Sequence, residues 1–241
     1  MLIDINCDMG ESFGAYSIGD DFEILNYVTS INIACGFHAG DPMIMRKTVK
    51  KAVEKNVKIG AHPGYPDLQG FGRRNMEFSP EEIYNMIVYQ VGALQAFVHI
   101  EGGELHHIKP HGALYNQSAN DPVKAEAIIN AVHDINPNLI LYCLSGSLIA
   151  KMARDRSLTV YEEAFSDRNY NEDGTLVSRS QDNALIQEEA QMLEHVNRIL
   201  SSNEVLSVQG ALIKLNAQTL CIHGDGPHAL EFAEKISELN K

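Results

Sequence analysis

Ile31-Asn32-Ile33-Ala34-Cys35-Gly36-Phe37-His38-Ala39-Gly40-Asp41-Pro42 holds a strand, a polar loop and a helix start in one short run. The β-branched, apolar residues at 31–34 suit a pleated, buried strand. Gly36, Ala39 and Gly40 leave open backbone around His38, so a ligand can approach closely. Asp41 then reads as an N-cap and Pro42 as the first helical residue. A strand, a ligand-bearing loop and a helix make the first half of a βα unit.

The same order recurs along the chain. Strands are expected at about 2–6, 31–34, 57–60, 104–109, 139–143, 159–163 and 218–222. Helices are expected from Asp41-Pro42 to about Asn56, from Ser79 onward, from Asp121-Pro122 to about Ile135, and over Ser145–Arg156, Asn183–Ser201 and Pro227–Leu239. Ser79 and Glu82 form a capping box, after which Ile83, Ile87, Val91, Leu94 and Val98 recur at helical spacing. A short helix is expected over Asp20–Val28, and Val205–Leu215 reads as a hairpin appendage. Strands alternating with helices indicate an α/β fold with a parallel sheet. Polar clusters follow strands in all parts of the chain. That favours a closed barrel over an open sheet, which gathers its chemistry at one switch point.

The chain has 241 residues and a formal net charge of −13. Its length suits one barrel domain spanning 1–241, and nothing in it reads as a linker or an internal repeat. The acidic balance argues against nucleic acid as a partner. No apolar run is long enough to span a membrane, and the N-terminal stretch lacks the features of a signal peptide, so a cytoplasmic location is expected. Cys7, Cys35, Cys143 and Cys221 lie in or just after strand-like runs and read as small buried hydrophobes.

The candidate chemistry lies at the strand ends. Asp8 and Glu11 suit a metal ligand or a general base, with a turn or helix cap as the structural alternative. Asp8, His38 and His62 form a candidate divalent-metal set, since neutral imidazoles and a carboxylate suit Zn²⁺. Lys109 and His111 straddle Pro110; they are read as an anion or oxyanion donor and an acid, base or ligand. Arg73 and Arg74 lie in a glycine-rich loop and offer bidentate binding of a carboxylate. Asp167 and Arg168 follow the sixth strand, and residues 166–181 have the length of a lid. His223 and Asp225 end the last strand, with a helix cap as the structural alternative for Asp225. His99, His133 and His195 fall in helices and read as structural. No Walker A loop is present, and Gly10-Glu11-Ser12-Phe13-Gly14 lacks the context of a serine hydrolase elbow.

Asn6-Cys7-Asp8-Met9-Gly10-Glu11-Ser12-Phe13-Gly14, residues 32–42, Gly60-Ala61-His62-Pro63-Gly64-Tyr65-Pro66-Asp67, Lys109-Pro110-His111-Gly112-Ala113-Leu114-Tyr115-Asn116, Glu163-Ala164-Phe165-Ser166-Asp167-Arg168 and His223-Gly224-Asp225 resemble the LamB/YcsF family, in order and over essentially the whole chain. Ser166 departs from the commoner alanine. The resemblance implies a seven-stranded β/α barrel of the glycoside hydrolase/deacetylase type. It implies ATP-dependent opening of 5-oxo-L-proline to L-glutamate, together with partner subunits B and C. With the residue readings above, Asp8, Glu11, Lys109, His111 and Asp225 are the expected catalytic residues. Arg73, Arg74, Asp167, Arg168 and His223 are the expected substrate contacts. ATP is the expected co-substrate of the complex; the divalent metal at Asp8, His38 and His62 is an expectation from the residues alone. Two other classes fit the residues. One is a stand-alone metal-dependent amidohydrolase or deacetylase acting on a sugar or cyclic amide. The other is a non-catalytic component that binds a metabolite.

Overall fold

The computed structural model describes residues 3–18, 22–224 and 229–240. Strand β1 (Asp4–Met9) is followed by a 3-10 turn (Phe22–Asn26), β2 (Ser30–Ala34), α1 (Pro42–Lys55), β3 (Lys58–His62), α2 (Pro80–Ile100) and β4 (Leu105–Ile108). Next come α3 (Gly112–Ser118), α4 (Pro122–Ile135), β5 (Ile140–Leu144), α5 (Leu148–Asp155) and β6 (Val160–Phe165). The chain ends with α6 (Glu189–Ser202), a hairpin of β7 (Glu204–Leu206) and β8 (Leu212–Lys214), β9 (Thr219–His223) and α7 (Ala229–Leu239). The barrel closes in the order β1-β2-β3-β4-β5-β6-β9, with all neighbours parallel.

Most helix starts follow from the sequence signals. Asp41 accepts from the backbone N–H groups of Met43 and Ile44 at 2.8 and 2.9 Å. Ser79 and Glu82 close the expected capping box. Ile83, Ile87, Val91, Leu94 and Val98 form the buried stripe of α2. The hairpin lies where it is expected. Three helix expectations change, the first being α5, which starts at Leu148 behind the Ser147 cap rather than at Ser145. Helix α6 starts at Glu189 rather than near Asn183, because residues 183–186 bond back to the loop after β6. Helix α3 has no counterpart among the expected elements. The expected helix over Asp20–Val28 is a 3-10 turn at Phe22–Asn26; residues 20 and 21, Pro227 and Asp225 lie outside the described residues.

Several strands end one to three residues later than expected, while β4 is shorter than the expected 104–109. Asp8, His62 and His223, expected in loops past the strands, are strand residues. The cause is the barrel interior, which is polar. Side chains alternate along a strand. On β1, Ile5, Cys7 and Met9 join the apolar core between barrel and helices. Asp4, Asn6 and Asp8 face the other way. Asn6 donates to Glu163 Oε1 at 2.9 Å and to Thr219 Oγ1 at 2.7 Å, across the barrel. His107 is also buried inside, stacked on Tyr142 with ring centroids 4.0 Å apart. It fits because β3 carries Gly60 opposite: a Cβ there would lie 2.0 Å from His107 Nε2. The register between β3 and β4 slips at this point, pairing Ile59 with Leu105 and Gly60 with His107.

Candidate active site

The C-terminal ends of the strands open into a cavity of about 440 Å³. Its deep wall is a set of buried charges. Asp8 Oδ1 accepts from Asn32 Nδ2 at 2.8 Å and from Lys109 Nζ at 3.0 Å. Asp8 Oδ2 lies 3.3 Å from His62 Nε2. Burial alone would push the Asp8 carboxyl up, but His62 and Lys109 outweigh it and hold the group well below the usual range. Asn32 is fixed in turn, because His107 Nε2 donates to its Oδ1 at 2.7 Å. Asp8 is therefore an oriented anion with one oxygen committed and the other toward the histidines.

Lys109, expected as an anion or oxyanion donor, is held among buried groups at the cavity wall. Its ammonium is 2.8 Å from Glu163 Oε1, 3.0 Å from Asp8, 3.2 Å from Asn6 Oδ1 and 3.1 Å from Cys221 Sγ. An ammonium has three donors, and four neighbours already surround it. Burial opposes its charge, yet Asp8 and Glu163 overcome that and raise its pKa well above normal. Lys109 thus balances two buried carboxylates at the cavity wall. His111 also has both ring nitrogens engaged. Its Nε2 faces the Phe71 carbonyl at 2.8 Å and its Nδ1 faces His62 Nε2 at 2.8 Å. A direct proton transfer from His111 to substrate has no nitrogen to use in this arrangement.

Glu11, His38, His62 and His111 come together at the edge of this wall, with one ligand atom of each within 4.8 Å of the others. The expected metal set shared His38 and His62 with this cluster, but Asp8 falls in a second group with Cys221 and His223. His38 is fully buried, and its ring stacks on His111 at 3.7 Å. Gly64 and Gly72 make the space: a Cβ would lie 2.6 Å from His38 Nδ1 at the first and 2.7 Å from His38 Cβ at the second.

The opposite wall is a strap formed by the loop after β6. Thr175 to Ser180 line the cavity. Arg168, expected to hold substrate, lines the cavity and ties the strap down, donating to the carbonyls of Val177 at 2.6 Å and Ala184 at 3.3 Å. Asp167 holds His223 Nδ1 at 2.8 Å, which leaves His223 Nε2 toward the cavity. Arg179 caps that nitrogen at 2.9 Å. Burial raises the Asp167 carboxyl, but His223 beside it lowers it further, below its ordinary value. Arg179 sits among strap residues with no periodic or motif signal, and the sequence offered no way to single it out. Of the two loop arginines, Arg73 lines the cavity, over the Phe71 ring. Arg74 does not: its guanidinium is exposed and paired with Asp67.

The sequence profile of the LamB/YcsF family matches residues 3–241. Among similar proteins, one from Brevibacillus brevis, named as the A-type subunit of 5-oxoprolinase, is 57% identical over 236 residues, covering 98% of this chain and 93% of the relative. The protein of the same name from Bacillus licheniformis is 56% identical, covering 97% and 92%. Among solved structures, the lactam utilization protein of Thermus thermophilus superposes with a TM-score of 0.92 at 43% identity, over 99% of this chain and 96% of that one. An Enterococcus faecalis protein titled a putative cellobiose-phosphate cleavage protein matches at TM-score 0.54 and 13% identity, over 99% of this chain and 90% of that one, a likeness of fold alone. The barrel, the ordered motifs and these relatives agree: the chain belongs to the LamB/YcsF family.

Proposed function

We propose that this chain opens the lactam ring of 5-oxo-L-proline to L-glutamate as one component of an ATP-dependent 5-oxoprolinase, working with partner subunits B and C. The observation that carries this is the likeness to relatives named for that component, with 57% identity over 93% of the relative's length. A five-membered lactam is an unstrained amide and resists hydrolysis, which gives ATP a chemical purpose. No Walker A loop occurs in the sequence, so ATP is used on or with the partners.

ATP phosphorylates the lactam oxygen, giving an imidate phosphate and ADP. Water then adds to that carbon, oriented by the Asp8 carboxylate, whose low pKa keeps it ionised. The C–N bond breaks as the ring nitrogen takes a proton, leaving an acyl phosphate. A second water releases inorganic phosphate and L-glutamate. The proton carrier is His223, because Asp167 fixes its tautomer and its Nε2 faces the cavity. Arg179 moves from His223 to the substrate carboxylate, which pairs the guanidinium with an anion and frees Nε2 at the same time. Arg73 stands across the cavity as a second cation. Arg179→Gln raises KM for 5-oxoproline roughly tenfold to a hundredfold, the worth of a charged hydrogen bond.

The test is glutamate release from 5-oxoproline, by this chain alone and mixed with its B and C partners, with and without ATP. Release that needs both ATP and partners supports the proposal. Release by the chain alone without ATP would replace it with the stand-alone metal-dependent amidohydrolase, which the cluster of Glu11 and three histidines favours.

A further inference from the structure

Hydrogen-bond accounting fails in one place in the site. His62 Nδ1 faces the Lys109 carbonyl at 2.7 Å, and His111 Nε2 faces the Phe71 carbonyl at 2.8 Å. A carbonyl only accepts, so both of these nitrogens carry hydrogen. A neutral imidazole has one N–H. With both rings neutral, His62 Nε2 and His111 Nδ1 are both lone pairs, and they face each other at 2.8 Å. Something positive belongs between them. A proton on His62 Nε2 would serve His111 Nδ1 and Asp8 Oδ2, 3.3 Å away, but it would leave His38 bare. His38 is fully buried, and neither of its nitrogens has a hydrogen-bond partner. Glu11 Oε1 stands 3.8 Å from His38 Nε2 and 3.8 Å from His111 Nδ1, too far for a hydrogen bond to either. One cation between the rings accounts for the facing nitrogens of His62 and His111 and for one nitrogen of His38, with the Glu11 carboxylate beside them.

We propose that His38, His62, His111 and Glu11 form the binding site for one divalent transition-metal cation of the zinc class. Three imidazoles and a carboxylate suit such an ion; Ca²⁺ and Mg²⁺ take oxygen donors. A tetrahedral ion with bonds of about 2.1 Å separates its donors by about 3.4 Å. The 2.8 and 3.8 Å separations here bracket that value. Histidine ligands characteristically donate their second N–H to a carbonyl or carboxylate, as His62 and His111 do. The site is built tightly, since Gly64 and Gly72 are the residues that let His38 sit there. Asp8 is outside the ligand set: Asn32 and Lys109 hold its Oδ1, and its carboxylate groups with Cys221 and His223 rather than with these four. The rings of His38 and His111 are parallel to within 2°. Lone pairs in parallel planes do not meet at a point, so loading the ion turns one ring out of the stack. The site stands on these contacts and not on the lactam reaction, so its test does not depend on turnover.

The experiment uses the full chain, stripped with a chelator and dialysed against Zn²⁺ or Co²⁺, with bound metal measured by elemental analysis and calorimetry. About one equivalent is expected, with the intense visible bands of a low-coordinate Co²⁺ site and a raised melting temperature. His38→Gln and His62→Gln weaken binding by at least about a hundredfold, while Asp8→Asn binds like the parent. Circular dichroism separates a lost ligand from a lost fold. If His38→Gln does not fold, the Co²⁺ spectrum of the parent decides by itself. Stripped parent protein that takes up no metal overturns the site, as does a folded His38→Gln variant that binds unchanged. Loss of binding in Asp8→Asn would overturn the ligand set in favour of one containing Asp8.

Discussion

Strand β1 points two carboxylates into the same barrel, and their surroundings differ in kind. Asp4, near the N-terminal end, accepts from four hydroxyls: Thr29 at 2.5 Å, Ser30 at 2.9 Å, Tyr142 at 3.0 Å and Thr219 at 2.6 Å. Asp8, two steps up on the same face, meets the Lys109 ammonium and the His62 ring. Around Asp4 the partners are neutral, short-tethered and mutually satisfied. Around Asp8 they are ionisable, and buried histidine nitrogens nearby have no partner. The same residue type on one strand thus closes one end of the barrel and equips the other, as the two faces of such barrels generally divide.

The sharpest way to break this contrast is Asp8→Asn. Glutamate formation by the reconstituted complex should fall at least about a thousandfold with the fold retained, on the scale of lost acid–base and electrostatic catalysis. Asp4→Asn should leave turnover within about threefold of the parent, since its hydroxyl partners are far from the transition state. An Asp4 variant that folds but is equally inactive would end the distinction. Next in size is Lys109→Met, which leaves Asp8 and Glu163 buried without their cation. A destabilisation of about 3–5 kcal/mol in urea unfolding is expected. Asp4→Asn should cost less, about 1–3 kcal/mol, because it weakens hydrogen bonds without stranding a charge.

The smallest effect concerns the layer between the two aspartates. Burial holds His107 well below its ordinary pKa, so it folds neutral. Its contribution to stability is complete above the unfolded value of about 6.5 and is lost as pH falls below it, because the unfolded chain then binds the proton. Burial lowers His195 in the same direction. Unfolding free energies measured from pH 5 to 8 should therefore rise with pH below about 6.5. His107→Gln should flatten that slope by up to about 1.4 kcal/mol per pH unit.

Much of the architecture was legible because the apolar strand cores and the helix caps are local signals: Asp41-Pro42, Ser79 with Glu82, and Asp121-Pro122 each start a helix where read. Strand lengths were harder to read. Asn6, Asn32, His107 and Glu163 make a hydrogen-bonded interior, and a polar residue inside a barrel looks like one in a loop. Asp8, Glu11, His38, His62, His111 and His223 converge as their strand-end positions suggest. Roles were less legible than places. An arginine reads the same whether it meets a substrate, a carbonyl as Arg168 does, or a neighbouring carboxylate as Arg74 does. Arg179 joins the site through the path of a loop, which no local pattern encodes.

The polar column inside the barrel also changes how the fold responds to damage. When a methyl-lined core loses a side chain, the space stays dry, and the loss follows the volume of the void. Shortening Asn6 would expose the amide, carboxylate and hydroxyl groups of Asn32, Glu163 and Thr219, which are enough partners for a water to settle. Solvent can act as a repair material along the axis of this barrel, while the shell of Ile, Val and Leu beneath the helices has no such substitute.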